Sequence, residues 1–285
     1  MHIDATAELR DWIGKTETAE DRITPAPMIG LAATLDWDKP DIALESALPC
    51  LWHWLYFLPM HRQSQIGVDG HAKRGGFLPP IPLPRRMWAG GRLQFHQPLH
   101  VGDAVNRVSC IADVAAKHGR SGDLVFVLVK HEIRIGDVLA LSEEHDIVYC
   151  DARRPGDQAF APRRAADDHA WQREVRPDEV LLFRYSALTF NGHRIHYDRH
   201  YVTEVEGYPG LIVHGPLIAT MLADLVREHC RGARIAAFEF RAVRPLFDIA
   251  PFFVCGRPGT DGGTIALWAK SDSGELAMEA TARLA

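Results

Sequence analysis

The chain has no long, uncharged apolar run. Its most apolar stretch, LPCLWHWLYFLP over residues 48–59, is too short to span a bilayer and carries His53. The start, MHIDATAELRDW, lacks the basic segment and apolar core of a targeting sequence, so cytoplasmic residence without membrane contact is expected. Cysteine is scarce. Cys50, Cys110, Cys150, Cys230 and Cys255 are far apart and never form a CxxC pair, which excludes a disulfide frame or a cysteine zinc site and fits reduced thiols in cores. Basic excess is also missing. A formal net charge of -5 gives no field to attract nucleic acid, so an anionic ligand must be held by a local cluster of Arg or Lys. No P-loop or dinucleotide-binding glycine motif occurs. What remains is globular: 47% hydrophobic and 24% charged residues over 285 positions suffice for two units, each with its own core.

Two units are also what the order of elements suggests. Residues 4–57 read as helical, with apolar residues at three-and-four spacing in ATAELRDWIGKT and LPCLWHWLYF. A long Gly- and Pro-rich segment, residues 61–84, reads as a binding loop or as disorder. Four strand-like runs follow: RMWAGGRLQFHQ, AVNRVSCIADVAAKHG, DLVFVLVKHEIRIG and VLALSEEHDIVYCD. Residues 153–176 are polar and read as a linker between a first unit, 1–152, and a second, 177–285. The second unit repeats the pattern: the apolar helix PLIATMLADLVREHC, then RIAAFEFRAV, APFFVCGR, TIALWAKSD and LAMEATARLA. A Pro-Leu pair ends the first strand of each half, Pro98 and Leu99 against Pro245 and Leu246. An antiparallel sheet curled around one helix leaves an open edge, which a second copy in the same chain closes by edge-to-edge pairing.

The segment YSALTFNGHRIHYDRHYVTEVEGYPGLIVHGPL, residues 185–217, resembles the MaoC-like hydratases and dehydratases of the hot-dog fold, nearest the mesaconyl-C4-CoA and itaconyl-CoA hydratase subgroup and the fungal-type 3-hydroxyacyl-thioester dehydratases. The resemblance implies an α+β double hot-dog: two fused units, each an antiparallel sheet wrapped around a long helix. It places His196 on the catalytic His of the family and Gly215 on the Gly whose backbone N–H forms the oxyanion hole. Asn191 stands where the broad family has a catalytic Asp, and His193 where it has an Asn. An amide cannot take a proton, so Asn191 is not a general base; the NGHRIH variant itself is similar to the mesaconyl/itaconyl subgroup.

Adding water across an enoyl thioester needs an oxyanion donor and a group that titrates near neutrality. Gly215, before Pro216 and a long helix, offers an unpaired N–H at the positive end of a helix dipole. His196 offers the imidazole. Asn191 then positions the water or the carbonyl, although Asn-Gly is also a common turn pair. His193 or Asp198 orients the imidazole, and His214 is read as packing under the helix. For the acyl-CoA substrate, Arg194 and His193 inside the motif, then Arg85 and Arg86, are the binding candidates, because a guanidinium fork matches paired oxygens. His196-Tyr197-Asp198 with His214 or His229 resembles a two-His-one-carboxylate iron set, but a loop does not supply the strand that facial ligation needs, so no metal is expected. No cofactor is expected, since coenzyme A is part of the substrate, and a homo-oligomer is compatible with the fold. The reaction this implies is reversible hydration of itaconyl-CoA or mesaconyl-C4-CoA to citramalyl-CoA. The alternatives are a fatty-acid-type 3-hydroxyacyl-thioester dehydratase, a hot-dog thioesterase and a non-catalytic acyl-CoA binder. The second unit is expected to hold the single active site, and the first to contribute substrate-tunnel wall and CoA contacts.

Overall fold

The computed structural model describes residues 6–38, 42–119, 122–151 and 161–285. The first half contains α1 (Thr6–Arg10), β1 (Thr16–Arg22), α2 (Pro25–Thr34), β2 (Arg85–Phe95), β3 (Ala104–Gly119), β4 (Gly122–Ile135) and β5 (Val138–Cys150). The second contains β6 (Trp171–Val175), α3 (Glu179–Leu188), α4 (Gly215–His229), β7 (Ile235–Ala242), β8 (Phe252–Pro258), β9 (Thr264–Ser271) and β10 (Leu276–Leu284). The strands form one sheet in the order β1-β3-β4-β5-β2-β7-β10-β9-β8-β6, so five strands of one half lie beside five of the other.

The alternation of β-branched and polar residues decides which face is buried. Val125, Val127, Val129 and Ile133 of β4 all turn into the core, as period-2 geometry requires. The halves meet edge to edge at β2 and β7, with Gly91 opposite Phe240 and Leu93 opposite Phe238. Two glycines permit this seam: a Cβ at Gly90 would lie 2.6 Å from the Phe240 carbonyl oxygen, and one at Gly91 would lie 2.9 Å from the Phe240 ring. Helix α4 is buried from Leu217 to Val226 against the second half of the sheet, with a proline in its first turn and Arg227 and His229 in its last. No helix among the described residues is long and apolar enough to cross a membrane.

The halves are related by an internal two-fold. Ala47 bridges His100 in the first as Ile212 bridges Phe247 in the second, and the amides of Leu48 and Val213 donate to the carbonyls of Leu99 and Leu246. The Pro-Leu pairs therefore do mark equivalent places. The same register sets Pro49-Cys50-Leu51 against His214-Gly215-Pro216. Where the second half continues into α4, however, the first makes only a 3-10 turn, Trp52–Leu55. The expected long helix of the first unit is thus absent there: Leu51 and Phe57 adopt left-handed backbone with φ of 68° and 55°, and Pro59 ends the run. Tryptophans pack in this space, Trp37 tilted against Trp52 and Trp54 edge-on to Trp88.

Two edge strands escape the sequence reading. Among the described residues of 4–57, α-helix is confined to α1 and α2, and β1, read as helix, pairs with β3. β6 lies in the segment 153–176 read as a linker and pairs with β8; residues 153–160 of that segment lie outside the described residues. Both strands are polar, TETAEDR and WQREV, and an edge strand with one solvated side carries little apolar signal.

Candidate active site

The motif that opens the second unit's loop is built by local hydrogen bonds. Helix α3 ends at Leu188; Phe190 takes a left-handed φ of 49°, and the Asn191 amide donates to the Ser186 carbonyl at 2.8 Å. The Asn191 Oδ1 then accepts the His193 amide at 3.0 Å, a side-chain turn that leads into the 3-10 turn Arg194–His196. His196 is buried, and its Nδ1 lies 2.7 Å from the Ile212 carbonyl. A carbonyl only accepts, so Nδ1 carries the proton and Nε2 is left as an acceptor. Burial drives the His196 pKa down to about 4, against the opposing pull of the Ile212 bond and with help from His71. The imidazole is therefore neutral across the physiological range.

His214 stacks on His196 with ring centroids 3.7 Å apart, and its Nε2 meets the Ser186 Oγ at 2.8 Å. Full burial holds it well below the usual histidine range, hence uncharged. The next residue, Gly215, begins α4, where the first backbone N–H groups lack intrahelical partners and the dipole is positive. Above it the space is open, since a Cβ would meet only Met278, at 4.0 Å. The neutral His196 imidazole thus stacks on the residue that immediately precedes the start of α4.

The first unit closes the site from the other side. Its loop over residues 61–84 docks on the motif: the Arg194 amide donates to the Asp69 carbonyl at 2.9 Å, and the Arg194 guanidinium to the Val68 carbonyl at 3.0 Å. Gly70 and Gly192 make the contact. Gly70 has φ +89°, and a Cβ on it would fall 1.7 Å from the Gly192 oxygen. The consequence is that His71 lies over His193, with ring centroids 3.9 Å apart, and His193 lies edge-on to His196 at 5.5 Å.

The sequence-selected residues part company here. Asn191 and His193 join His196 and Gly215. Arg194 is consumed by structure: its Nε and one terminal nitrogen donate to the Asp198 Oδ2 at 2.9 and 2.7 Å, another holds Val68, and the guanidinium covers the Tyr201 ring. Asp198, its other oxygen taken by the Tyr201 amide, neither orients His196 nor forms an iron set with it. Arg85 pairs with Glu206 at 3.4 Å and lies over Tyr208, tying the two units together. Arg86 differs. It sits opposite Tyr149 in the β2–β5 register, hydrogen-bonds Tyr149, and lies close enough to His71, His193 and His145 to disfavour a charge on each. No carboxylate among the described residues pairs with it. Sequence reasoning missed Asp69, His71 and the stacking role of His214. One signal was available for the first two: Asp69-Gly70-His71 echoes Asn191-Gly192-His193.

Comparison with known proteins agrees with this architecture. The family model for hydroxyacyl-thioester dehydratase type 2 matches residues 51–248. A mesaconyl-C(4)-CoA hydratase from Chloroflexus aurantiacus is 48% identical over 283 residues, covering 98% of this chain and 99% of that protein. Among solved structures, a MaoC-like dehydratase superposes with a TM-score of 0.69 at 14% identity, covering 95% of this chain and 98% of its own. A Mycobacterium tuberculosis protein described as having a double hot-dog fold superposes with a TM-score of 0.53 at 15% identity, covering 98% of each chain. On the family match and the near full-length relative, this α+β double hot-dog chain belongs to the hydroxyacyl-thioester dehydratase type 2 family.

Proposed function

We propose that this protein reversibly hydrates a short, branched, dicarboxylic enoyl-CoA, with mesaconyl-C4-CoA the first substrate to test, itaconyl-CoA the second, and citramalyl-CoA the product. The observation that carries the reading is the pairing of an imidazole fixed as an Nε2 acceptor with the open N-terminus of α4. The 48% identity to a mesaconyl-C(4)-CoA hydratase supports the choice of substrate.

In the hydration direction, His196 Nε2 accepts a hydrogen bond from the attacking water and aligns its oxygen with the β-carbon. The C–O bond forms, the double-bond electrons move onto the thioester oxygen, and the Gly215 N–H stabilises the charge that develops there. The proton lost by water ends on the α-carbon, so the site must hold it in between. Asn191, with its oxygen engaged by His193, keeps the motif turn in shape. Arg86, a guanidinium close to His71 and His193 with no acidic partner among the described residues, receives the free carboxylate of the substrate.

The test is to follow loss of the conjugated thioester absorbance and to titrate free thiol. Mesaconyl-C4-CoA turned over in preference to crotonyl-CoA supports the reading; turnover of straight chains alone removes the dicarboxylate, and thiol release with the double bond intact indicates a thioesterase. Arg86→Met should raise KM for the dicarboxylic substrate by roughly 10- to 100-fold, the worth of a charge-assisted contact, while KM for crotonyl-CoA, which has no free carboxylate, stays within a few-fold.

A further inference from the structure

The NGHRIH run of this chain, residues 191–196, lacks a carboxylate. Asn191 occupies the position from which an acid would face the substrate, and the His196 imidazole is backed only by a carbonyl and by two further uncharged rings. A proton resting on His196 would therefore meet no anion within hydrogen-bonding distance among the described residues. The first unit's loop supplies what is missing. Asp69-Gly70-His71 and Asn191-Gly192-His193 form the same turn, the side-chain oxygen of the first residue accepting the amide of the third at 3.0 Å in each. They face each other across the Gly70–Gly192 contact, so that the aspartate of one copy stands in for the amide of the other.

The second oxygen of Asp69 lies 3.0 Å from the His71 Nδ1. That bond fixes Nδ1 as the donor and leaves Nε2, which makes no hydrogen bond among the described residues, as the base. One oxygen or nitrogen atom from each of Asp69, His71 and His193 comes within 4.8 Å of the others, which places the pair beside the ring that contacts His196. The His71 side chain is 20% exposed, open enough for a small molecule to approach.

We propose that the Asp69–His71 pair is the proton-holding group of this site, with His71 as a further catalytic residue and Asp69 as its positioning residue. This rests on the hydratase reading. In hydration an O–H bond of water breaks as its proton passes to His71 Nε2, while the oxygen bonds the β-carbon and the electron pair reaches the thioester oxygen. The imidazolium faces the Asp69 carboxylate until it returns the same proton to the α-carbon, so the cycle needs no other reactant. His196 accepts the second hydrogen of the water and keeps it aligned.

The charged groups around His71 are Asp69, Arg74 and Arg86, with His193 against its face. Burial and the two arginines lower its basicity while Asp69 opposes them, and Asp69 itself, despite partial burial, is held ionised by its bonds from His71. Removing the carboxylate should weaken the base further and move the acid limb of kcat/KM to lower pH.

The experiment uses the full-length protein with the thioester it turns over best. His71→Ala should lower kcat by about 10²- to 10⁴-fold with KM within a few-fold, and added imidazole should restore part of the rate. Asp69→Asn should lower kcat by about 10-fold or more and shift the acid limb downward. A His71→Ala protein within tenfold of wild-type kcat, a loss that imidazole does not relieve, or an Asp69→Asn profile with an unmoved acid limb overturns the proposal. Each leaves the hydratase reading intact, because that fails only if the wild-type protein hydrates no enoyl thioester.

Discussion

His196 is held in its neutral, acceptor form by a single bond. The Ile212 carbonyl accepts a hydrogen bond from the Nδ1–H, and the uncharged His214 stacks on the ring. With His196 at about 4, the unprotonated form that the mechanism requires persists well below the range of a free histidine. His196→Ala should cost about a hundredfold or more in kcat while leaving the circular dichroism spectrum unchanged; near wild-type turnover would remove the residue from the chemistry. His196 and Gly215 were visible in the sequence because their surroundings are local, a loop and the helix that follows it. Arg194 misled for the same reason. A cation inside a motif looks like a ligand for the substrate until the fold reveals that Asp198, Val68 and Tyr201 already occupy it.

Among the elements, the loop over residues 61–84 carries more of the site than its composition suggests. Two glycine backbones dock it on the motif, with Gly70 in a conformation that L side chains rarely adopt and directly against Gly192. Gly70→Ala should therefore lift Asp69 and His71 away and reduce turnover by at least tenfold, while the bulk of the sheet keeps its melting temperature within a few degrees, since a single added methyl at a surface-lying contact disturbs the core little. Loss of activity through global unfolding, seen as a fall in melting temperature of about 10 °C or more, would contradict this assignment. The strand runs of both meanders were legible from their alternation, and each appears at its expected place. The edge strands β1 and β6 were not, because half of each faces solvent and neither presents a run of branched apolar residues.

For the whole molecule, the internal two-fold sets two unlike halves side by side, and the polar groups they bury predict how stability depends on pH. In the first half the 3-10 turn leaves a buried polar row on the sheet, Ser109, His131 and Glu143 across β3, β4 and β5, capped by His53 at 3.0 Å and the Trp54 indole at 3.0 Å from Glu143. Burial opposes a charge on Glu143, yet its bond from His53 holds its pKa to about 2, so its contribution to stability is fully present above its ordinary value and constant through mildly acidic pH. The histidines behave oppositely. His131 and His145 are pushed to about 4 and about 3, chiefly by burial, and His193, His196 and His214 are lowered too. The unfolded chain takes up these protons near pH 6.5 and the folded chain does not, so stability falls as pH drops, by about 1 kcal/mol per group between pH 6.5 and 5.5. Five such groups represent a large part of a typical folding free energy of about 5–15 kcal/mol. Urea unfolding at these two pH values should show a loss of several kcal/mol; equal midpoints would refute the buried, neutral state of the cluster.

The sequence by itself determined the two meanders, the swallowed helix α4, the edge-to-edge pairing of two units, and the place of Gly215 at the head of that helix. These follow from periodicity and from short-range chemistry that a linear reading can follow. Only the tertiary structure decided that the first unit's helix is cut to one turn, that Arg194 pairs with a carboxylate while Arg86 meets none among the described residues, and that an Asp-Gly-His turn more than a hundred residues away lies on the Asn-Gly-His turn of the motif. Those depend on which backbones approach closely enough to touch, and two facing glycines do not announce their partner along the chain.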